Sequence, residues 1–433
     1  MADKVITDPV QCLRDELSSE LVSITQWWAS RAIDTENGGF AGEVSNEGDI
    51  RKDAKKGAVL NARILWFFSE ASLCLGDSEA LAMAHRAFDV LQTHFTDLKD
   101  GGIFWSINPD GTVLETKKQT YAQAFVIYAY CAYYKLTGKQ AAINAAIALF
   151  DLIETRCVDR KNNGYHEALS RNWSPLEDVR LSEFDSNFPF SMNTHLHILE
   201  AYTELQNCAP SEAIRNALIN LINIHTNKII REDGSHCRLF FDRNWKDYSK
   251  EISHGHDIEA SWLVHKACLA VDDHALTERV RPKILALAHK CFDTGFEGRS
   301  YVYNETEIDG PIDTTSIWWV QAEALVGFLN SYHMSGEVAH FEAAVTIWDF
   351  IKKHHIDREY GEWRWSALVD GTAKIRPYKC GMWKAPYHNG RAMIASLDLL
   401  NAIQKHDTKK QETQALKTKL TIDTSVFGRG QSA

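Results

Sequence analysis

The chain has 433 residues, 45% of them hydrophobic, which is ample for a large buried core, and length alone would suggest two or three domains. Its net charge of -11 and pI near 5.9 argue against a nucleic-acid binder and a protein that binds anionic membranes. Nine cysteines without C-x-x-C spacing argue against a disulfide framework or a zinc site and are expected as free thiols.

The two ends of the chain carry no targeting pattern. The opening stretch MADKVITDPVQCLRDELSSE lacks the apolar segment of a signal peptide, and no apolar run is judged long enough to cross a membrane. The tail from about Lys405 is polar and is expected to be a surface appendage. We therefore expect a cytoplasmic protein, monomeric or weakly dimeric, with no nucleic-acid or membrane partner.

Glycines followed by aromatic residues recur at nearly equal spacing along the chain. The steps between them are 63, 62, 70, 64 and 63 residues, which indicates an internal repeat. Alternating aromatic and polar residues around each glycine predict a short β-hairpin. The six glycines are Gly39, Gly102, Gly164, Gly234, Gly298 and Gly361.

Two helical patterns lie in each repeat. One class is amphipathic and suits an outer ring: residues 18–33, 79–95, 141–156, 212–229, 281–292 and 341–355. The other class is apolar nearly all round and should be buried: residues 61–75, 121–136, 193–206, 256–271, 318–332 and 388–403. Six buried helices inside six amphipathic ones predict an all-α fold, an (α/α)6 barrel with short hairpins at one end. Because one repeat cannot bury its apolar face alone, residues 1–433 are expected to form a single domain.

The predicted inner helices all begin with polar or aromatic residues. Since inner helices of such a barrel run parallel, these residues should meet at one mouth and line one pocket. They are Arg63, Tyr121, Asn193 with His195 and His197, His256 with Glu259, Trp318 with Trp319, and His388 with Arg391.

Local spacing refines this prediction. His256 and Glu259 are three residues apart on one helix face, so their side chains can touch, and the carboxylate would fix the imidazole tautomer. His195 and His197 face different sides of their helix, so one is expected in the pocket and one in the core. Arg63 lies in an apolar run and must pair, either structurally or with a developing oxyanion. The tryptophans would serve as core packing or as platforms for sugar rings.

Two histidines and an arginine at one mouth, with no ligand-spaced cluster for a catalytic metal, suit proton transfer at carbon. One histidine would remove the C2 proton of an open-chain aldose, and Arg63 would stabilise the resulting enediolate. Proton return to the opposite face of C2 gives an epimer, and return to C1 gives a ketose. A glycosidase drawing on Glu259, Asp185, Glu323 or Asp257 ranks second, because no carboxylate pair stands out. Sugar binding without catalysis ranks third.

Motifs on all six inner helices resemble a known family. KGAVLNARILW, TYAQAF, SMNTHLHILEAYTEL, GHDIEASWL, WWVQAEALVGF, GEWRWS and WKAPYHNGR are similar to the cellobiose 2-epimerases of the N-acylglucosamine 2-epimerase superfamily, from about Glu20 to about Ala402. The resemblance implies a cofactor-free (α/α)6 barrel. It also implies epimerisation of the reducing-end glucose of β-1,4-linked disaccharides such as cellobiose and lactose. A mannose 2-epimerase or aldose–ketose isomerase of the same superfamily is the alternative.

The same resemblance implies residue roles. His256 and His388 would be the acid/base pair at C2, with Glu259 orienting His256 and Arg63 polarising the carbonyl oxygen. His197 would assist ring opening, with Asp185 beside it. Four residues would hold or stack the sugar: Tyr121, Asn193, Trp319 and Trp383. The chain departs from the family at Ala385, where relatives usually have Cys, and this difference bears on pocket shape and substrate preference.

Overall fold

The computed structural model describes residues 9–183, 185–296, 300–367 and 378–405. Within these ranges, twelve helices alternate along the chain between an outer and an inner ring, which confirms the predicted (α/α)6 barrel. The outer helices are α1 (Pro9–Arg31), α3 (Ser78–Val90), α5 (Gln140–Leu152), α7 (Glu212–Ile224), α9 (His274–Lys290) and α11 (Val338–Phe350). The inner helices are α2 (Ala58–Leu75), α4 (Thr120–Thr137), α6 (Met192–Cys208), α8 (His254–Val271), α10 (Trp318–Ser335) and α12 (388–405).

The inner helices are buried on all sides, as their apolar sequences predict. In α2 every residue from Ala58 to Ser69 is buried. Successive inner helices pack side by side, and α12 closes the ring against α2. A Cβ atom built on Gly390 of α12 would lie 2.4 Å from Phe67 Cδ2, so only glycine permits this approach. One continuous apolar core includes side chains from all twelve helices. The predicted tail from about Lys405 lies beyond the described residues.

The inner helix Ala58–Leu75 is long and apolar enough, by length and composition, to cross a membrane. The expectation that no run reaches this length was therefore wrong. Its apolarity has a local explanation, because 78% of the helix is buried inside the barrel.

The outer helices differ from prediction in three details, of which the first is that α1 begins at Pro9 rather than near residue 18. Five of them end in a π-helical turn, at Leu91–Phe95, Ile153–Cys157, His225–Ile229, Cys291–Gly295 and Ile351–His355. Helix α9 begins at His274 rather than near residue 281, so Pro282 lies inside it. The earlier start is explained by Asp273, whose side chain accepts a hydrogen bond from the Leu276 amide at 3.0 Å and caps the helix.

The glycine sites form the predicted tight turns. Antiparallel pairs close them at Ile33–Phe40, Thr96–Ile103, Val158–Tyr165, Ile230–Cys237 and Ile356–Trp363. Gly39, Gly102, Gly234 and Gly361 have positive φ angles between 67° and 76°, which side chains disfavour. The site at Gly298 lies outside the described residues.

Short strands lie at the same end, and several of the pairs between them join neighbouring repeats, which the sequence did not predict. They are β1 (Val44–Ser45), β2 (Lys56–Gly57), β3 (Ser106–Ile107), β4 (Val113–Glu115), β5 (Lys118–Gln119), β6 (Val158–Asp159), β7 (Gly164–Tyr165), β8 (Ala168–Leu169), β9 (Phe190–Ser191), β10 (Phe240–Phe241), β11 (Glu251–Ser253), β12 (Glu305–Glu307), β13 (Ile312–Asp313) and β14 (Tyr378–Cys380). The strand before an inner helix pairs antiparallel with one in the next repeat, as β2 does with β3 and β9 with β10. Pairing of β1 with β14 joins the first repeat to the last.

Candidate active site

A cavity of about 310 Å³ lies at the N-terminal ends of the inner helices. Every inner helix contributes a side chain from its first two turns, so the predicted convergence at one mouth is confirmed. All ten predicted site residues line the cavity: Arg63, Tyr121, Asp185, Asn193, His197, His256, Glu259, Trp319, Trp383 and His388. Loop and hairpin residues complete it, including Leu181, Ser182, Glu305 and Trp365.

His388, the first residue of α12, is oriented by a buried carboxylate. Its Nδ1 lies 2.7 Å from Glu323 Oε1. Glu323 also accepts hydrogen bonds from Arg391 Nη2 at 2.7 Å and from Trp262 Nε1 at 3.1 Å. With Nδ1–H donated to the carboxylate, Nε2 carries the lone pair and is the basic nitrogen. His197 is supported in the same way, because its Nδ1 lies 2.9 Å from Glu200 Oε2.

His256 is supported differently from the prediction. Its Nδ1 lies 2.9 Å from Ser253 Oγ, and within the described ranges no hydrogen bond joins it to Glu259. Glu259 instead forms an ion pair with Arg391. The spacing of three residues allows a His256–Glu259 contact, but a buried guanidinium is the stronger partner for a carboxylate. The predicted orienting role of Glu259 therefore lacks the contact on which it depended.

Arg391 joins the groups beneath the cavity. Its Nη1 donates to Glu200 and to the Tyr387 hydroxyl, and its Nη2 donates to Glu259 and Glu323. The guanidinium also lies 4.2 Å from the Tyr387 ring centroid. Glu200 is hydrogen-bonded to His197 and Glu323 to His388. The Arg391 guanidinium therefore holds in place the carboxylates that orient two cavity histidines.

Arg63 is clamped between aromatic rings at the cavity wall. Its guanidinium lies 4.4 Å from the Phe125 centroid and 4.5 Å from the Tyr387 centroid. Nη2 donates to the Tyr121 hydroxyl at 3.0 Å, and Nε has no hydrogen-bond partner among the described residues. Asn193 Oδ1 is also buried without a partner there. A polyhydroxylated ligand supplies both the acceptors and the donors that such groups lack.

Tryptophan and the two imidazoles share one side of the cavity. The Trp319 ring centroid lies 4.8 Å from that of His256 and 5.5 Å from that of His388. Trp383 also lines the cavity, and its ring centroid lies 6.4 Å from that of Tyr121. A flat apolar face beside two nitrogen bases suits a sugar carbon that must exchange a proton.

Burial controls the charges in this site. Burial, with a smaller effect of His197, lowers the pKa of His256 to about 3. Burial and then the charges of Arg63 and Arg391 hold the pKa of His388 well below its usual range. Both imidazoles are therefore neutral bases near pH 7 before a ligand binds. Burial and then the charge of Glu323 raise the pKa of Glu259 to about 7.

Helix α6 carries two histidines, and only His197 lines the cavity, whereas His195 is hydrogen-bonded within the core. His195 Nδ1 lies 2.6 Å from the Ser191 carbonyl oxygen, and its Nε2 accepts a hydrogen bond from the Tyr165 amide at 3.0 Å. His195 is therefore part of the core while His197 lines the cavity, as their spacing predicted.

The sequence analysis placed Arg391 in the pocket lining, named Glu323 only for the glycosidase alternative and did not single out Glu200. In the structure none of the three lines the cavity, and their role as supports was not predicted. A signal was present, because each is a charged residue in a helix that is otherwise apolar all round, and such residues must pair when buried. Glu200 and Arg391 also follow His197 and His388 by three positions. Glu305 and Trp365 carried no comparable signal.

Glu259, Glu323 and His388 are also close enough to hold a metal ion, with ligand atoms within 4.8 Å of one another. Arg391 already donates to both carboxylates and supplies the cation that they need. The absence of a catalytic metal stays a prediction.

Comparison with known proteins agrees with this geometry. Residues 38–392 match the family model of N-acylglucosamine 2-epimerase. A cellobiose 2-epimerase from Bacteroides fragilis is 41% identical over 89% of this chain and 99% of its own. The structure of cellobiose 2-epimerase from Spirochaeta thermophila superposes with a TM-score of 0.87 at 36% identity, over 93% of this chain and all of its own. A D-mannose isomerase from Marinomonas mediterranea is only 23% identical, over 89% of this chain and 97% of its own. The chain therefore belongs to the N-acylglucosamine 2-epimerase family of sugar isomerases, within its cellobiose 2-epimerases.

Proposed function

We propose that the chain inverts C2 of the reducing-end glucose of β-1,4-linked disaccharides, converting cellobiose to glucosyl-mannose and lactose to epilactose. The observation that carries the proposal is the pair of neutral imidazoles, His256 and His388, which border one cavity beside Trp319 and Arg63. Binding alone requires no such pair of bases.

Proton transfer at C2 follows from this arrangement. One imidazole removes the C2 proton of the open-chain sugar, and the electron pair moves to the C1 carbonyl oxygen to give a cis-enediolate. Arg63, fixed by its ring contacts and by Tyr121, stabilises that oxygen. The other imidazole takes up a proton from solvent and delivers it to the opposite face of C2, which inverts the centre, and the first imidazole then loses its proton to solvent. When His388 is the base, Glu323 stabilises its protonated form, because the carboxylate faces the imidazolium.

Ring opening precedes this step, and we assign it to His197. Its Nδ1 is tied to Glu200, so Nε2 is the nitrogen available to exchange a proton with the ring oxygen or the C1 hydroxyl. Asp185 lies on the loop over the same cavity and would bind a sugar hydroxyl. Tyr121 and Asn193 would hold further hydroxyls, and Trp319 and Trp383 would stack against the rings.

The ketose-forming alternative uses the same bases and differs only in whether the proton returns to C2 or C1. The 41% identity to a cellobiose 2-epimerase, against 23% to a D-mannose isomerase, favours epimerisation. No cofactor is required by these steps. The cytoplasmic location and the monomeric or weakly dimeric state remain parts of this proposal.

Incubation of the purified, chelator-treated chain with cellobiose in D2O, followed by NMR and sugar chromatography, tests the function. Glucosyl-mannose with deuterium at C2 is the expected product. Free glucose would overturn the proposal in favour of hydrolysis. Conversion of mannose to fructose without any reaction of cellobiose would move the chain to the monosaccharide isomerases.

A further inference from the structure

Two histidines and a glutamate meet on the outer wall of the barrel, between the end of α9 and the start of α11. One ring nitrogen of His289, one of His340 and one carboxylate oxygen of Glu337 all lie within 4.8 Å of one another. None of the three lines the cavity described above. The epimerase chemistry therefore gives no reason for this cluster.

His289 is oriented by hydrogen bonds at both ring nitrogens. Its Nδ1 lies 2.7 Å from the Leu285 carbonyl oxygen, which can only accept, so Nδ1 carries a hydrogen. Its Nε2 lies 2.8 Å from Glu337 Oε2, which also only accepts, so Nε2 carries a hydrogen as well and a metal ion would displace it. Ligating histidines usually donate one N–H to a carbonyl or carboxylate in this way, and the other nitrogen binds the metal.

His340 adds an independent observation. The residue is only 1% exposed, and its ring packs against Phe328 and Phe292. Its Nδ1 lies 2.9 Å from Ser331 Oγ, whereas its Nε2 has no hydrogen-bond partner among the residues that the structure describes. Nε2 is therefore available to bind a cation.

We propose that His289, Glu337 and His340 bind a transition-metal dication of the Zn²⁺ class. Two imidazoles and one carboxylate are a known zinc donor set that leaves a fourth position for water. Tetrahedral Zn²⁺ with bonds of about 2.0–2.1 Å requires ligand atoms about 3.4 Å apart, within reach of small side-chain rotations here. Nitrogen donors favour Zn²⁺ over Mg²⁺ or Ca²⁺.

Titration of the chelator-treated full-length chain with ZnCl2, followed by calorimetry, tests the site. We expect one Zn²⁺ per chain, and Co²⁺ in its place should give the visible absorption of four-coordinate cobalt with nitrogen ligands. His289→Ala and Glu337→Gln should each weaken Zn²⁺ binding at least tenfold and remove the cobalt bands. Epimerase activity of the metal-free variants should match that of the metal-free parent chain.

Two matched variants serve as controls: His274→Ala at the exposed start of α9 and Glu342→Gln on the exposed face of α11. Both should bind Zn²⁺ like the parent chain. Absence of Zn²⁺ binding to the parent chain would overturn the proposal. Undiminished binding to His289→Ala and Glu337→Gln would also overturn it, because the ion would then be held elsewhere. The test is independent of the proposed sugar chemistry, since it reads metal binding directly.

Discussion

Replacing Glu323 by Gln tests whether the carboxylate beneath His388 serves catalysis rather than folding. Glu323 does not line the cavity, and its Oε1 accepts hydrogen bonds from His388 and Arg391. The amide oxygen of Gln can replace Oε1, so His388 keeps its tautomer. What is lost is the negative charge that faces the imidazolium formed when His388 accepts a proton, together with the acceptor of the Trp262 indole N–H, which bonds Oε2.

The size of the effect follows from that difference. A hydrogen bond to a charged group contributes about 1.5–3 kcal/mol, against about 0.5–1.5 kcal/mol for a neutral one. Losing about 1–2 kcal/mol in the transition state lowers kcat roughly 5- to 30-fold. KM should change little, because Glu323 does not contact the ligand. The fold should keep most of its stability, because Gln matches the shape of Glu323 and Arg391 keeps Glu200 and Glu259 as partners.

The assay is steady-state kinetics on cellobiose and on cellobiose deuterated at C2 of the reducing end. In Glu323→Gln the deuterium isotope effect on kcat should rise, because proton transfer becomes slower relative to ring opening. Glu200→Gln is the matched control, since it removes a carboxylate from the same arginine but supports His197. That variant should slow ring opening and lower the isotope effect. A Glu323→Gln enzyme with kcat within twofold of the parent would refute the reasoning.

Four further outcomes are expected. His256→Ala and His388→Ala should each abolish C2 deuterium exchange by NMR while the circular dichroism spectrum is kept; near-normal exchange in either would exclude the two-base mechanism. Burial raises the pKa of Asp257 to about 7, so the folded chain prefers the protonated carboxyl. Below about pH 4 this group does not lower the free energy of unfolding, and the free energy of unfolding falls as pH rises from about 4 to 7, because the folded chain must bury a charge or hold a proton that the unfolded chain releases. Asp257→Asn should therefore gain up to about 4 kcal/mol relative to the parent at pH 8.5 but not at pH 4, measured by urea unfolding. Trp383→Ala should raise KM about tenfold with little change in kcat, through lost apolar contact with the sugar. Ala385→Cys should change kcat/KM by less than about tenfold, since one added atom in a packed site costs about 1 kcal/mol.

Most of the fold could be predicted from the sequence, because each repeat contains a glycine at a turn whose backbone conformation other residues disfavour. Gly39, Gly102, Gly234 and Gly361 occupy turns with positive φ, and their spacing marks the repeat length. Apolar helices between amphipathic ones then allow few arrangements. The strand pairs between repeats were not predicted, because segments of two or three residues have no period to detect.

The lining of the cavity was predicted for a related reason. Polar side chains at the starts of buried helices have few places to go except a common pocket, and eight of the ten expected residues lie in the first two turns of inner helices. The other two, Asp185 and Trp383, were expected from the family resemblance. The partners of those residues were harder to predict. Glu259 was assigned to His256 by spacing along α8, whereas its partner Arg391 lies on α12, in contact only after the ring closes. Spacing reports neighbours on one helix and carries no information on contacts between helices.

Closure of the ring by α12 has a consequence for how the protein is made. The first inner helix supplies Arg63 and the last supplies His388 and Arg391, so the site is incomplete until the ribosome has synthesised the final repeat. At about 5–20 residues per second, synthesis of the chain takes roughly 20–90 s. Throughout that time α2 lacks its neighbour α12, and the apolar face around Phe67 stays uncovered. We therefore expect catalytic activity to arise only after α12 has been synthesised and packed, and a chain truncated before α12 to be inactive.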